Sequence, residues 1–319
     1  MIKFHGPFAA DLAAYNTFRT SQGFSESTHA FPLVKFDRYC VEFHPDASVL
    51  TREMALDWLK REVPFGLGGL RCKTAALRGF ANYVNAMGGS AYVLPVRINP
   101  PMRRKVPHLL TDAEMTALFS QIDRLSARRR DVPGLLPTLF RVLYTCGLRP
   151  NEVLGIRRPD IDFGEGTIRI VDSKFHKDRA VAMSADMKAM MREYFRRLAK
   201  SRPETPYVFP GRRQDQIGYF AVRNFLNRCW AAAAHELGDK TPRTIRLYDF
   251  RHRFASAVLH KWLDEGRNIL EAIPKLRIYM GHVSILSTLY YVHLLPESLR
   301  KSHGIQWEGM ERIIPEDAE

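Results

Sequence analysis

Cysteine is scarce in this sequence, and no two cysteines stand close together. The four residues of this type are spread along the chain: Cys40, Cys72, Cys146 and Cys229. Without a CxxC pair, neither a zinc site nor a disulfide framework is indicated. We therefore expect free thiols and a reducing compartment, for which the cytoplasm is the simplest choice.

Long apolar runs are also absent. No stretch approaches the roughly 20 apolar residues that a helix needs to cross a bilayer. The first residues, MIKFHGPFAADLAAYN, lack the continuous apolar core of a secretory leader. We expect neither a leader nor a membrane partner.

Positive charge, by contrast, is in excess. The 319 residues carry a formal net charge of +14. Such a field favours a polyanionic partner, usually nucleic acid, although a merely soluble basic surface stays open as an alternative. The length fits two ordinary domains better than one.

The first predicted domain, residues 1–89, is helical. Four segments show apolar residues at spacings of three and four, which is typical of amphipathic helices. Residues 90–107 then form a linker whose four prolines disfavour regular elements. Its cluster of Arg103, Arg104 and Lys105 is suited to a phosphate backbone, but a solvated linker explains the cluster equally well.

Residues 108–295 form a second domain. Thr111 and Glu114 have capping-box spacing at a helix start, and segments 167–171 and 180–183 are predicted strands. The remaining pattern is helical. The predicted fold class is therefore mainly α, with a four-helix N-terminal domain and a mixed α/β domain that holds one small antiparallel sheet.

Four short segments of this second domain carry residues suited to chemistry. Each has an ordinary explanation when taken singly, since an Arg-x-x-Glu pair is usually a surface ion pair and a lysine at a hairpin tip is usually solvated. In chain order they are Arg149 and Glu152 in GLRPNEVLGI, Lys174 in SKFHKDR, Tyr248, Arg251 and His252 in YDFRHRF, and His282, Tyr290 and Tyr291 in YMGHVSILSTLYYVH.

In this order the segments resemble the catalytic domain of the tyrosine recombinases, the phage-integrase and Xer-like family. The family pattern is Gly-Leu-Arg-x-x-Glu, a hairpin lysine, His-x-x-Arg-His, Gly-His, and a tyrosine nine residues later. Five motifs in order are highly specific. The resemblance implies a site-specific DNA recombinase, an integrase or a transposon-encoded enzyme. It would act on double-stranded DNA as a tetramer, formed by its own copies or together with related recombinases. The helical domain 1–89 matches the family's core-binding domain in size and position.

The resemblance also implies a role for each matched residue. Tyr291 would attack a backbone phosphate and form a 3′-phosphotyrosyl link, so that rejoining needs no ATP. Arg149 and Arg251 would clamp the phosphate oxygens. Lys174, with Lys177 as its local rival, would protonate the leaving 5′-oxygen.

The supporting residues follow from the same resemblance. His282 would donate a hydrogen bond to the phosphate or orient the site, and Glu152 would hold an arginine. We expect His252 to point away from the phosphate into a supporting hydrogen bond. The cationic side chains supply the charge that metal ions supply in other nucleases, so neither a metal nor another cofactor is implied.

Spacing and periodicity distinguish the two adjacent tyrosines. Tyr291 stands nine residues after His282, as the resemblance requires. In a continuous helix, Tyr291 would lie nearly opposite an apolar stripe and Tyr290 on its flank. That stripe comprises Ile285, Leu286, Leu289 and Val292. Tyr291 is therefore the predicted nucleophile and Tyr290 the predicted packing residue.

The chain departs from the family pattern in two places. Tyr248 replaces the usual histidine; it would share a helix face with Arg251 and donate a hydrogen bond, although a phenol with a pKa of about 10 is a poor proton shuttle. The stretch between Arg251 and His282 is longer than usual and predicts a helix, a loop and a second helix.

Two other functions stay open from the sequence. A type IB topoisomerase shares the chemistry, but the helical domain and basic linker favour a recombinase. A DNA-binding accessory protein without catalysis is disfavoured by the intact set of candidate catalytic residues. The tail, residues 296–319, would dock on a neighbouring protomer, since apolar residues recur there: Ile305, Trp307 and Met310.

Overall fold

The computed structural model describes residues 2–24, 26–62, 67–98, 108–128, 132–171, 178–213, 215–238 and 244–293. They fall into two compact units, which divide between residues 105 and 106. None of the described helices is long and apolar enough to cross a membrane. The linker residues Arg103, Arg104 and Lys105 lie outside the described residues.

Four helices build the first unit, as the sequence predicts: α1 (Ala9–Ser21), α2 (Glu26–Phe43), α3 (Arg52–Glu62) and α4 (Leu67–Ala86). Their apolar faces meet in a core rich in aromatic residues, where the rings of Phe36 and Trp58 lie 5.2 Å apart, edge to face. The buried Asp37 carboxylate accepts hydrogen bonds from the amides of His5 and Gly6. The start of the chain is thereby fastened to α2.

The first part of the predicted linker packs on this unit. Leu94 is buried, and the Tyr92 amide donates a 2.8 Å bond to the Leu50 carbonyl. The Arg78 guanidinium donates to the Leu94 carbonyl at 2.8 Å. Residues 90–98 therefore contain no helix and end in a turn after Pro95, and they are held against the first unit.

The second unit is mainly helical with one small sheet, which confirms the predicted fold class. The Thr111 hydroxyl accepts from the Glu114 amide at 3.2 Å, and the Glu114 carboxylate accepts from the Thr111 amide at 2.8 Å, so the predicted capping box is present. The helices are α5 (Asp112–Ser126), α6 (Leu135–Thr145), α7 (Pro150–Gly155), α8 (Ala185–Ser201), α9 (Tyr219–Glu236), α10 (Leu247–Asp264), α11 (Ile269–Met280) and α12 (Leu286–His293).

The sheet is antiparallel, with the strand order β1-β2-β3. Its strands are β1 (Ile161–Asp162), β2 (Thr167–Ile170) and β3 (Arg179–Ala182). Ile168 pairs with Val181, and both side chains are fully buried, so one face of the sheet packs on the core. Strands β2 and β3 match the predicted strands to within one residue. Strand β1 was not predicted, because two residues cannot show an alternating pattern.

Helix α10 joins the main core of the second unit to the helices near the chain's end. On one side, the Phe250 ring of α10 lies 5.5 Å from the Phe140 ring of α6. On the other side, α10 shares a cluster of buried residues with α11 and α12. Helices α10 and α11, with residues 265–268 between them, match the helix, loop and second helix predicted between Arg251 and His282.

The turn between α6 and α7 requires a glycine. Gly147 has a φ of 58°, and a Cβ added to it would stand 2.2 Å from Cδ1 of Phe254 on α10. Glycine adopts this left-handed conformation without the steric cost that a side chain brings. The turn packs closely against α10 and leads directly to Arg149, the residue before α7.

We expect Gly147→Ala to destabilise the second unit by on the order of 3 kcal/mol, because the left-handed φ costs about 1–2 kcal/mol for alanine and the clash with Phe254 adds an overpacking cost. Gly238→Ala is the matched control, since Gly238 has a φ of 72° but open space around its Cα. Urea unfolding of both variants measures the difference. Equal losses in the two variants would mean that the contact with Phe254 is unimportant.

Candidate active site

Arg149 is positioned by the way α7 begins. It occupies the N-cap of α7, with Pro150 at the first helical position, where a missing N–H costs no hydrogen bond. The Arg149 amide donates to Glu152 Oε2 at 2.9 Å, and its Nη1 donates to Glu152 Oε1 at 2.7 Å. Glu152 thus holds an arginine, as the sequence predicts.

Glu152 also binds a second arginine, Arg179, at the start of β3. Nη1 and Nη2 of Arg179 donate to the two carboxylate oxygens at 2.9 and 2.7 Å. Burial acts to raise the pKa of Glu152, but the hydrogen bonds and charge of Arg179, together with the hydrogen bonds from Arg149, outweigh it and lower the pKa to about 2. Glu152 is therefore a permanent carboxylate that two guanidinium groups share.

Arg251 lies on α10 and is only 1% exposed. Its Nη1 donates to the Gly147 carbonyl and its Nη2 to the Met280 carbonyl, each at 2.6 Å. Burial and the nearby positive charge of Arg149 lower the pKa of Arg251 to about 10, against the opposing influence of Tyr291. Arg251 nevertheless stays cationic at neutral pH.

The three arginines meet at the C-terminus of α11. They donate to the carbonyl oxygens of three successive residues, 279–281: Arg179 at 2.9 Å, Arg251 at 2.6 Å and Arg149 at 2.6 Å, in that order. The last carbonyls of a helix have no partner within the helix and carry partial negative charge, so cations are stabilised there. This helix end therefore fixes the positions of the arginines relative to one another.

His282 and Tyr291 complete the group. The rings of His282 and Tyr291 are stacked, with centroids 6.0 Å apart and an interplanar angle of 17°. Tyr291 is 3% exposed; burial raises its pKa, while the charge of Arg251 and a hydrogen bond with Arg251 act in the opposite direction. Burial and the adjacent arginines lower the pKa of His282 to about 3, so both residues are neutral in the free chain.

The predicted apolar stripe of α12 is wrong. Ile285 and Leu286 are 38% and 42% exposed, whereas Thr288, Leu289 and Tyr291 are buried. Helix α12 begins only at Leu286, so the continuous helix assumed for the stripe does not include Ile285. Helices α10 and α11 cover the face that bears Tyr291, and Tyr290, the predicted packing residue, is half-buried.

Tyr248 lines the same cleft as Arg149 and is 41% exposed there, so its expected hydrogen bond to a phosphate stays a prediction. His252 differs from its expected position. His252 does not point away, because its ring lies 5.5 Å from the Tyr291 ring and 6.1 Å from the Tyr248 ring. Its Nδ1 has no hydrogen-bond partner among the described residues, so the expected supporting bond is not seen there. Burial lowers the pKa of His252 to about 4.

An open cleft of about 820 Å³ borders this group. Arg149 and Tyr248 line it, and the exposed guanidinium of Arg169 faces it together with Arg157. Across the described ranges, no three His, Cys, Asp or Glu side chains gather as they would around a metal ion. The carboxylates of Glu152 and Asp160 also line the cleft and pair with Arg149 and Arg169. An anion in the cleft would therefore meet a phenol and guanidinium groups whose charge is partly neutralised.

Two of the predicted site residues lie outside the described part of the chain, and two residues of the observed site were not predicted. Lys174 and Lys177 belong to residues 172–177, which the structure does not describe. Arg179, five residues after Lys174, received no role from the sequence. Thr288 had no assigned role, although its place between His282 and Tyr291 in the sequence was a signal.

Comparison with known sequences connects this site to DNA recombination. The sequence model of the phage integrase family matches residues 108–298. The chain is 30% identical to the putative integrase/recombinase y4rE of Sinorhizobium fredii over 293 residues, covering 87% of this chain and 89% of that protein. It is 27% identical to the tyrosine recombinase XerC of Oceanobacillus iheyensis, covering 72% of each chain.

Solved structures share the fold. The XerH recombinase in its pre-cleavage complex with difH DNA aligns with a TM-score of 0.62 at 19% identity, over 84% of this chain and 76% of that one. The Tn1549 transposon integrase with transposon right end DNA aligns at 0.60 and 17% identity, over 95% and 99%. A lambda integrase tetramer on a Holliday junction aligns at 0.62 and 15% identity, over 88% and 76%.

We expect Glu152 to make the second unit sensitive to acid. Its pKa in the folded chain is about 2, below the ordinary 4.5, so its contribution is complete above pH 4.5 and is lost as pH falls towards 2. A shift of this size corresponds to on the order of 3 kcal/mol. The parent chain should therefore have the larger free energy of unfolding in urea at pH 6, and its difference from Glu152→Gln should shrink as pH falls from 6 to 3.

Glu193→Gln is the matched control for this comparison. Glu193 is an exposed carboxylate that pairs with Arg197 on α8, and exposed pairs contribute only about 0–1 kcal/mol. The free energy of unfolding of Glu193→Gln should stay close to that of the parent chain from pH 6 to pH 3. A Glu152→Gln difference that is independent of pH would contradict the ionic role of Glu152.

Proposed function

The chain belongs to the phage integrase family, whose members are site-specific tyrosine recombinases, and we propose that it cuts and rejoins double-stranded DNA through Tyr291. The observation that carries this proposal is the buried contact of Tyr291 with Arg251 and the stacked His282, beside Arg149. A phosphate between the arginines would lie beside the phenol. Attack would form a 3′-phosphotyrosyl bond and release a 5′-hydroxyl.

The arginines supply the stabilisation of the transition state. Attack on the phosphate increases the negative charge on its oxygens, and Arg149 and Arg251 are fixed cations held ready before the DNA arrives. Groups held in this way need no reorganisation during the reaction, and one such donor is worth roughly 100- to 1000-fold in rate. Tyr248, on the exposed edge of the cleft, would add a neutral hydrogen bond.

Lys174 is the proposed general acid for the leaving 5′-oxygen. It belongs to the segment that joins β2 and β3, and β3 begins with Arg179, which is bonded to Glu152 at the site. The place of Lys174 in the sequence, five residues before Arg179, supports this role. Lys177 stays its rival, because the two lysines are only three residues apart.

The N-terminal unit and the linker are proposed to hold the DNA. The four-helix unit would serve as the core-binding domain, and Arg103, Arg104 and Lys105 would bind backbone phosphates. The net charge of +14 supports such contacts, which would make binding depend strongly on salt. We place the chain with DNA in the cytoplasm, where it would assemble as a tetramer on paired sites.

The two alternative functions are less well supported. A type IB topoisomerase needs no site pairing, whereas the relatives named above are integrases and recombinases. A silent accessory protein would not need Arg149, Arg251 and Tyr291 gathered at one place.

We expect Tyr291→Phe to bind its DNA site but form no covalent adduct, because phenylalanine keeps the ring and lacks the nucleophile. The site is first obtained by incubating the parent chain with a randomised library of nicked duplexes and recovering the DNA that stays attached under denaturing conditions. The same nicked substrate is then given to each variant, and the linked peptide is mapped by mass spectrometry.

Tyr290→Phe is the matched control, because it removes the neighbouring phenol from the same helix. It should keep the adduct. An adduct mapped to Tyr290, or a full yield with Tyr291→Phe, would overturn the assignment. Relaxation of any supercoiled plasmid without a defined site would favour the topoisomerase alternative.

We further propose that the tail, residues 296–319, docks on a neighbouring protomer. An apolar groove of about 290 Å³ between α10 and α11 is suited to receive apolar side chains such as Trp307. The groove is lined by Phe254, Val258, Trp262, Lys275, Leu276 and Tyr279. Exposed apolar surface of this kind favours a protein partner, and a tail in this groove would link adjacent subunits.

A chain that ends at residue 295 should bind one DNA site with unchanged affinity but fail to pair two sites, since the linking segment is gone. Trp307→Ala should reproduce part of this loss, and Glu316→Gln is the control at a polar position of the tail. Sedimentation of the complexes with one and with two sites measures both steps. Normal pairing by the shortened chain would disprove docking between protomers.

A further inference from the structure

Both ring nitrogens of His282 have hydrogen-bond partners in the described structure. Nε2 lies 2.9 Å from Nη2 of Arg251, and Nδ1 lies 2.8 Å from the hydroxyl oxygen of Thr288. Thr288 is fully buried on α12, one turn before Tyr291. The imidazole is thus held between a guanidinium on one side and a hydroxyl on the other.

The chemistry of these partners determines where the imidazole proton lies. A guanidinium can only donate, so Nε2 must accept from Arg251 and cannot carry a hydrogen. The proton of a neutral imidazole then lies on Nδ1 and is donated to the Thr288 oxygen. Nη2 of Arg251 carries two hydrogens: one is donated to His282 Nε2 and the other to the Met280 carbonyl oxygen at 2.6 Å.

A doubly protonated ring does not fit this geometry. It would direct an N–H of Nε2 at the N–H of Arg251, and two cations would be in contact within a buried site. The low pKa of His282 agrees with this conclusion, since burial and Arg251 both act against the charged form. The neutral ring with its proton on Nδ1 is therefore the state that all three residues satisfy together.

We propose that Thr288 is a positioning residue: its hydroxyl accepts from Nδ1 and holds the His282 ring in place, so that Nε2 accepts from Arg251 and keeps Arg251 beside Tyr291. This inference deepens the proposed recombinase function and rests on it for its catalytic consequence. Thr288 and Tyr291 are three residues apart on α12, so the same hydrogen bond also fixes the helix that carries the nucleophile. In the free chain His282 orients the site and does not donate from Nε2.

The hydroxyl of Thr288 also permits the other tautomer once DNA binds. When Arg251 turns to a phosphate, Nε2 loses its donor, and a proton on Nε2 would then be able to bond a phosphate oxygen. The proton that leaves Nδ1 is replaced there by a hydrogen bond from the Thr288 hydroxyl, which can donate as well as accept. Serine retains this ability, whereas valine cannot serve either tautomer.

The first test needs no DNA. Nitrogen-15 NMR of the full chain labelled at histidine distinguishes the two neutral tautomers and the cation. The chain has 11 histidines, so the His282 signals are identified by their loss in His282→Gln. We expect a protonated Nδ1 and a bare Nε2 at neutral pH in the parent chain. A proton on Nε2, or on both nitrogens, would overturn the inference.

The second test compares variants of Thr288. Thr288→Val keeps the shape and removes the hydroxyl, so we expect the Nδ1–H signal of His282 to lose the shift of a hydrogen-bonded proton and the nicked substrate to be cleaved roughly 10- to 100-fold more slowly, with unchanged DNA affinity. Thr288→Ser should restore both the hydrogen-bonded Nδ1–H signal and most of the rate. Thr138→Val is the matched control, because Thr138 is buried on α6 and its hydroxyl has no partner in the described part of the chain.

The outcomes separate this inference from the proposed function. If Thr288→Val is slow but keeps the hydrogen-bonded Nδ1–H signal of the parent chain, or if it loses that signal without losing rate, the positioning role is wrong, while the proposal that Tyr291 is the nucleophile is unaffected. Should the parent chain form no adduct with any DNA, the recombinase proposal fails, but the NMR result still stands. Should Thr288→Val not fold, the NMR of the parent chain and the rate of Thr288→Ser decide.

Discussion

The site depends on one interaction, the binding of three guanidinium groups to the last carbonyl oxygens of α11. Arg179 from the sheet, Arg251 from α10 and Arg149 from the turn after α6 donate, in that order, to the carbonyl oxygens of residues 279, 280 and 281. Since each carbonyl has one arginine, a shift of α11 along its axis would break all three bonds. The relative positions of α7, β3 and α10 are therefore tied to this helix end.

This arrangement keeps cations buried without cancelling their charge. A carbonyl group is a dipole without net charge, so it accepts from the N–H groups of Arg251 and leaves the charge of Arg251 in place. Arg149 and Arg179 share the single carboxylate of Glu152. Burial and Arg149 lower the pKa of Arg251, which shows that the folded chain holds this charge at a cost. An arriving phosphate would relieve the cost, and that is the physical basis of an anion site built before its ligand binds.

The sequence predicted the elements and most of the site because both are local patterns. The capping box at Thr111, the two longer strands and the helices followed from spacing, and the candidate residues followed from five motifs in order. Arg179 and Thr288 received no role, because their partners lie elsewhere in the chain or depend on the turn that begins α12. The apolar stripe failed for a related reason: a helix of eight residues is too short for its own periodicity to reveal which face its neighbours cover.

The burial of Tyr291 sets the order of events in the proposed reaction. A phenol whose pKa is raised by burial stays protonated, and the two histidines beside its ring, His252 and His282, are neutral because their own pKa values are low. If Tyr291 is the nucleophile, as proposed, the free chain holds it inactive beside cations that favour its anion. Binding of a phosphate would engage Arg251 and so leave Nε2 of His282 without its donor. Activation of Tyr291 would thereby be linked to the presence of the phosphate it attacks, and this would protect the phenol when no DNA is bound.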